Sequence, residues 1–464
     1  MLEVLWRAED AAAATGGRLI GSDSWIAGGV SIDTRTLQPG DLFVALKDAR
    51  DGHDFVADAM AKGACAALIS EGRALGHGPA LLAPNVLEAL KALGVAARDR
   101  SAAKRVAITG SVGKTSVKEA TLLCLAATAR THASVKSYNN HWGVPLTLAR
   151  MPEAAAFGVF ECGMNHRHEI EPLSQLVRPH VGVITWIAPA HIENLGTLAR
   201  IAEEKADLFQ GLTPDGAALV PNEAPHADIL MAAAAQWASQ TLRFGRAPGC
   251  EARLLSYKAE AGGAQAEAEV LGRRIAYRVG AEGAHWALNA LAAITAAYLA
   301  GGDLEAAAAA LVDLRPLDGR GATHLIKAPF GTIVVIDDAY NANPASMALA
   351  LESLKDRTPG PGGRRIAALG DMRELGPQAP QYHAAMAEHA QKGLVDLVFA
   401  AGPMMAHLAQ ALPPQMQGAH RKTSQALIDP LLEVLADGDI VLIKGSNGSQ
   451  MARVVEALKA LSAT

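Results

Sequence analysis

The sequence predicts an α/β protein of three domains, and three observations carry that prediction. Short β-branched runs alternate with helical stretches through the last third of the chain, the pattern of a doubly wound, mostly parallel sheet. A strand, a glycine turn and a helix start follow one another over residues 106–116, which marks a phosphate-binding domain in the middle. The length of 464 residues, at roughly 100–200 residues per domain, accommodates two to four such units.

The first block, residues 1–84, mixes strand-like runs (DLFVAL, CAALIS) with turn signals at Pro39-Gly40 and Asp51-Gly52, and is expected to be a small α/β domain. The second, residues 85–315, opens with the helical stretch VLEALKALGVAARD and the β-branched run RVAIT. Further strands are expected at 157–161 and 181–186, each a short apolar run suited to a parallel strand buried on both faces. This block reads as a central P-loop ATPase domain with a parallel sheet. The third, residues 316–464, carries strand candidates at 332–336, 365–369, 394–400 and 440–443. Helical stretches such as SMALALESLKD and SQMARVVEALKAL separate them, giving a C-terminal Rossmann-like, doubly wound domain. Ligands of such sheets lie beyond the carboxyl ends of the strands, so chemistry is expected just after each strand.

Composition narrows the function. Half the residues are apolar and 4% aromatic, which supplies a large aliphatic core. The 42 basic and 47 acidic residues leave a formal charge of −5, which excludes a strong nucleic-acid footprint but allows a locally basic pocket for a small anion. Cys65, Cys124, Cys162 and Cys250 have neither disulfide-framework nor zinc spacing and fit a reducing compartment. The start, MLEVLWRAEDAAAATGG, lacks the pattern of a signal peptide. The most apolar helical stretch, 286–300, is interrupted by Asn289 and is too short to span a bilayer. A cytoplasmic monomer without membrane or nucleic-acid partners is expected.

The strongest local signal is Gly110-Ser111-Val112-Gly113-Lys114-Thr115-Ser116 after the strand. The glycines let the backbone approach phosphate oxygens, the N–H groups at the helix start point at them, Lys114 reaches the terminal phosphates and the Thr115 hydroxyl can ligate Mg²⁺. Position 108 is Ile where the strict P-loop has Gly, so this is the shorter TGxxGK[ST] form; an ordinary capped glycine turn is the competing reading. Nucleotide binding alone does not separate a ligase from a kinase, a motor or a switch.

The order of motifs from SIDTRTLQPGDLFVAL and DGHDFV through TGSVGKTS, SYNNHWGVPLTL, FECGMNH, PAHIENLGT, IAEEKADLFQGL, HWALNALAA, DDAYNANPASM, LGDMRELG and LIKGSNGS resembles the Mur ligases over nearly the whole chain. One departure is His168, which stands before Glu169 where the family usually has Gly. The resemblance implies ATP-dependent amide ligation, and DDAYNANP is similar to the branch that adds D-alanyl-D-alanine to a UDP-N-acetylmuramoyl-tripeptide.

Glu161 ends a strand facing the phosphate loop and, with Thr115 and ATP oxygens, makes a sufficient Mg²⁺ set; a strand-end Glu in solvent or in an ion pair is the alternative. His191 alone reads as a structural histidine, and the resemblance makes it a ligand of a second Mg²⁺. Lys205 alone reads as a solvated lysine paired with a nearby Glu. The resemblance implies that CO₂ carbamylates it, giving a hard-oxygen ligand and requiring a lowered amine pKa. Lys114, His191 and Lys205 are thus the implied catalytic set. The resemblance further places Asn289 at the adenine, Arg320 at the terminal phosphate and Asp338 at the ribose, with Asp337 as its substitute. It assigns Asp33, Thr34 and Arg35, followed by Asp51 and His53, to the UDP moiety, and Asn139, Asn140 and His141 to the sugar–peptide portion. Asp371 to Glu374 and the loop of Lys444, Ser446 and Asn447 are expected near the dipeptide amine. His166 and His168 lack further ligands at zinc spacing. Three rivals stay open: a folylpolyglutamate synthetase, which would lack the N-terminal SIDTRTLQPG block; a Mur ligase adding a diamino acid or D-glutamate, which would not be expected to carry DDAYNANP; and a P-loop switch or binding module with no ligation chemistry.

Overall fold

The computed structural model describes residues 3–70, 76–135, 137–260, 262–281 and 283–463. Three principal sheets follow one another along the chain. The first has five strands, in the spatial order Arg18–Ile20, Ala80–Ala83, Ala66–Ser70, Asp41–Val44 and Gly29–Ser31. All neighbours are parallel except the first pair. Its core shares residues with the next unit, because Leu90 and Leu93 of the helix Val86–Arg100 pack with Leu146 and Ala149 of the helix Gly143–Ala149.

The second sheet has nine strands, and its order positions the site. Lys104–Thr109 lies between Phe157–Glu161 and Val181–Ile184, parallel to both. Every residue of this trio except Lys104 is buried, which is why the sequence there reads as unbroken apolar runs rather than alternation. The sheet continues through Ala217–Pro221 and Gln240–Gly245, then turns antiparallel at Gly263–Val270 and Arg273–Val279. This antiparallel extension adds to the parallel sheet expected for the central block. The helices Lys114–Ala126 and Ala284–Leu299 cover one face of the sheet, burying Val117, Ala120, Leu291 and Ile294 against Ile108 and Val183.

The third sheet runs Ala322–Ala328, Gly331–Asp338, Ile440–Lys444, Arg365–Gly370, Leu397–Ala401 and Gln417–Arg421. Only the first pair is antiparallel. Helices cover both faces, with Met347 and Leu351 on one side and Leu431 and Val454 on the other. The expected strand 394–400 begins only at Leu397, because Leu394 takes a left-handed conformation (φ 54°) in the turn after the preceding helix. Helix starts follow local chemistry. Asn343 caps the helix Pro344–Ser353 by accepting from Ser346 N, Ser346 Oγ accepts from Asn343 N, and Pro344 occupies the first turn. Among the described residues no helix is long and apolar enough to cross a membrane.

Three sheltered histidines stay neutral in this fold. Burial, outweighing the Thr147 carbonyl at 2.7 Å, pushes His132 down to about 4. Burial, reinforced by Arg105 and Lys104, does the same to His180, and burial with Lys444 nearby also takes His285 to about 4. In the unfolded chain each titrates near 6.5, at roughly the free-histidine value. Between these values the unfolded state binds more protons, so stability is present in full above about pH 6.5 and is lost as pH falls towards about 4. The urea midpoint should therefore be lower at pH 5 than at pH 7; an unchanged midpoint would contradict the burial of these rings.

Candidate active site

The phosphate loop leaves the central strand at Thr109 and is held from the neighbouring strand. Ser111 N donates to the Trp186 carbonyl at 2.8 Å, and Thr185 Oγ1 donates to the Val112 carbonyl at 2.5 Å. These contacts end the strand at Ile184, two residues before the expected 186. Gly110 sits at φ 151°, and a Cβ there would meet Thr185 Oγ1 at 1.9 Å, so the turn needs glycine. Gly113, at φ 84°, faces Asn289 across a gap that a Cβ would narrow to 3.2 Å. The hydroxyls of Thr109 and Ser111 are buried beside the loop without a hydrogen-bond partner. Buried polar groups are nearly always satisfied, so these two fit a site built for an oxygen-rich anion. A small crevice next to it is lined by Thr115, Ser116, Glu119, Trp286, Leu317 and Arg320.

Lys114 begins the helix and donates to the Gly110 carbonyl at 2.6 Å. Burial lowers its ammonium below the usual lysine range; Glu161 opposes the shift and Arg320 adds to it. Thr115 Oγ1 donates to Glu161 Oε2 at 2.8 Å, and Asn139 Nδ2 donates to Glu161 Oε1 at 2.7 Å. Glu161 is 1% exposed, so the solvated alternative is overturned. The Thr115 hydroxyl and Glu161 carboxylate are hard oxygen donors side by side at the loop, the chemistry that Mg²⁺ requires.

On the other flank, His191 follows the strand Val181–Ile184 in a left-handed conformation (φ 57°) and caps the short helix Ile192–Leu195. Its Nδ1 is hydrogen-bonded to the Glu374 carboxylate. Burial lowers the pKa of the ring, Glu374 opposes this, and Lys114 and Lys205 lower it further.

Lys205 lies in the helix Leu198–Ala206 and is 2% exposed, so it is not a surface lysine. Nor is Glu204 its ion-pair partner. That carboxylate accepts the N–H groups of His168, Glu169 and Ile170 at 2.7–3.1 Å, where the helix Ile170–Val177 begins. Burial first, then repulsion from Lys114, holds the Lys205 ammonium well below the usual lysine range, and Glu204 offsets this only in part. The same contacts explain the His168 departure. Its φ of 64° is the left-handed conformation that glycine adopts freely.

The third sheet meets this site from its own carboxyl edge. Asn343 Nδ2 donates to the Ser111 carbonyl at 3.5 Å, and Arg320 Nη2 donates to Ser137 Oγ at 2.8 Å while lying over the Tyr340 ring at 4.1 Å. Asp337 is committed to the backbone: it accepts from Gly319 N and Ala339 N, which fixes the segment bearing Arg320. Asp338 instead accepts from Lys444 Nζ at 2.7 Å. Burial raises its pKa, and Lys444 opposes that.

Other candidates are engaged locally. Arg35 pairs with Asp33 at 2.6 Å and lies within the field of Tyr138, while the Thr34 carbonyl accepts from Lys62. Asn140 Oδ1 accepts from Gly143 N at 2.9 Å, so its side chain, like that of Asn139, already has a protein partner; His141 is exposed. Asp51 pairs with His53, whose Nε2 accepts from Ser70. Asp371 accepts from Met405 N, Ser446 accepts from Arg373 N, and Asn447 is exposed. Sequence reasoning missed Ser137, Tyr340, Asn343, Glu204 and the Glu374–His191 pair. Only Asn343 carried a local signal, its cap position before Pro344.

The comparisons agree with this geometry. The chain matches the models of the Mur ligase family catalytic domain over residues 27–141, the Mur ligase middle domain over 108–297 and the Mur ligase glutamate ligase domain over 323–447. It is 33% identical to a UDP-N-acetylmuramoyl-tripeptide--D-alanyl-D-alanine ligase of Escherichia coli, covering 96% of each chain. It is 32% identical to the protein of that name from Bacillus subtilis, covering 93% of each. A crystal structure of MurF from Acinetobacter baumannii superposes with a TM-score of 0.86 at 27% identity, covering 99% of both chains. With the carboxylate of Glu161 bonded to the phosphate loop and the buried Lys205 in the field of its Lys114, and with relatives matched along nearly their full length, this chain belongs to the Mur ligase family.

Proposed function

We propose that the protein adds D-alanyl-D-alanine to UDP-N-acetylmuramoyl-tripeptide at the expense of ATP, forming the UDP-linked pentapeptide for peptidoglycan synthesis through an acyl phosphate. The observation that carries this reading is the phosphate loop set between Glu161, which ends one neighbouring strand, and His191 with Lys205, which follow the other, in a chain similar end to end to ligases of that name. The match includes the N-terminal block that a folylpolyglutamate synthetase would lack, and the metal-ligand set exceeds what a P-loop switch needs.

A carboxylate resists nucleophiles, so it must be activated first. In our reading the tripeptide carboxylate oxygen attacks the γ-phosphorus of ATP, the bond to the β–γ bridging oxygen breaks, and ADP leaves. The dipeptide amine then attacks the acyl carbon, loses a proton, and phosphate departs with its bonding pair. Lys114 and Arg320 are placed to spread the negative charge of the transferring phosphoryl group. Thr115 and Glu161 would hold one Mg²⁺ and His191 with Lys205 the second; bound there, the ions neutralise phosphate oxygens and orient them for in-line transfer.

Lys205 would ligate as a carbamate. Its desolvated amine, unpaired by Glu204, is populated in the neutral form that attacks CO₂, giving N–COO⁻ and releasing one proton. The neighbouring cation Lys114 favours the resulting anion. We assign Asn289 to the adenine, Asp338 to the ribose, Asp33 to Arg35 with the segment from Asn139 to the UDP-linked substrate, and the Lys444–Asn447 loop to the dipeptide. We take residues 1–84, 85–315 and 316–464 as the three units that close around these substrates, in a cytoplasmic monomer. The four free cysteines fit a reducing compartment.

ADP release measured with the UDP-linked tripeptide should be rapid with D-alanyl-D-alanine and slow with D-alanine, D-glutamate or no amine; equal rates throughout would contradict the reading. Lys205→Ala should lower kcat by at least about 100-fold (~2.7 kcal/mol in barrier), and millimolar formate or acetate should restore part of it. Full activity in the unsupplemented variant would remove the carbamate from the account.

A further inference from the structure

His191 and Glu374 come from different sheets, 183 residues apart, and each adopts a backbone conformation that costs free energy. His191 lies at φ 57° and Glu374 at φ 62°. Non-glycine residues keep left-handed conformations only where surrounding contacts enforce them, at about 1 kcal/mol or more each. Here the two residues enforce one another. The His191 Nδ1 meets the Glu374 carboxylate, and Glu193 N donates to the Glu374 carbonyl at 3.1 Å.

The arm that delivers Glu374 is rigid. Asp371 Oδ1 accepts from Met405 N at 2.9 Å, and Met372 N donates to Nε2 of the fully buried His383 at 2.9 Å. Arg373 is tied at both ends, through its N–H to Ser446 Oγ at 3.0 Å and through Nη2 to the Gly448 carbonyl at 2.7 Å. The carboxylate beyond this anchored turn can therefore reach His191 only when the third sheet is docked on the central one. A surface ion pair formed by chance would not have two strained backbones and a braced arm behind it.

A carboxylate accepts hydrogen bonds and cannot donate them, so the proton of the ring must sit on Nδ1 and the lone pair on Nε2. We propose that Glu374 is a positioning residue: its carboxylate fixes the tautomer and ring orientation of His191 for cation binding, so that the second cation site is completed only on closure of the C-terminal domain. The proposal rests on the assignment of His191 as a cation ligand. Its physical basis is the outer partner of a metal-bound imidazole, which typically contributes 10–100-fold in metal affinity. It also gives closure a consequence: ATP's charge is fully compensated only when the domain carrying Arg320 and Glu374 has arrived.

The test uses the full-length enzyme saturated with a non-hydrolysable ATP analogue, with Mn²⁺ titrated and followed by electron paramagnetic resonance. Glu374→Ala should keep the first Mn²⁺ and bind the second about 10-fold or more weakly. Glu374→Gln, whose amide oxygen still accepts from Nδ1–H, should recover most of that loss. In ligation assays the Mg²⁺ half-saturation should rise in parallel, while KM for ATP at saturating Mg²⁺ changes by less than about 3-fold. A second Mn²⁺ bound by Glu374→Ala as tightly as by wild type would overturn the proposal, as would equal losses in the Ala and Gln variants. His191→Ala separates the two readings. If it weakens the second Mn²⁺ while Glu374→Ala does not, the positioning role falls and the ligand assignment stands; if neither weakens it, both fall.

Discussion

Two lysines that cannot comfortably be charged together organise this molecule. Lys114 and Lys205 are both sheltered at the carboxyl edge of the central sheet: burial lowers each ammonium's affinity for its proton, Arg320 adds to this at Lys114, and Lys114 adds to it at Lys205. Burying one cation without a partner is costly, and burying two that face each other is worse. In the reading proposed above, the arrangement suits anions: a triphosphate against the loop and Lys114, and a carbamate at Lys205. The empty-handed hydroxyls of Thr109 and Ser111 make the same point for neutral groups. What looks like frustration in the isolated chain is complementarity to its reactants.

The sheet order makes this economical. One strand supplies the phosphate loop, its two neighbours supply Glu161 and His191, and parallel pairing brings all three ends to one edge. The third sheet adds what a single domain could not. Arg320, Asn343 and Glu374 each reach the central domain by a separate hydrogen bond, to Ser137, Ser111 and His191. A reactive acyl phosphate is best formed after such closure, when water has been excluded and the electrostatics of the cleft are at their strongest.

The parallel strands were readable because burial on both faces removes polar residues from them. The strand Phe157–Glu161 has the bounds its apolar run predicts, whereas Val181–Ile184 stops short because Thr185 and Trp186 are spent on the loop. The antiparallel strands Gly263–Val270 and Arg273–Val279 were not legible. Their inward positions include Ala264, Ala266 and Ala268, and alanine carries too weak an apolar signal to mark a face. At the site, residues within a motif could be singled out and those defined by tertiary pairing could not. Nothing near position 374 announces a histidine 183 residues earlier, and nothing in AEEKA says that Glu204 caps another helix while Lys205 turns inward. Asn139 shows the converse, a motif residue whose side chain is directed at Glu161.

The account stands or falls on activation of the acid by phosphoryl transfer. Tripeptide nucleotide labelled with ¹⁸O in its terminal carboxylate, turned over with unlabelled ATP and D-alanyl-D-alanine, tests this by mass analysis of the phosphate released. The account predicts one labelled oxygen in each phosphate, because the attacking carboxylate oxygen leaves with phosphorus when the amide forms. Phosphate free of label, with peptide product still made, would contradict it.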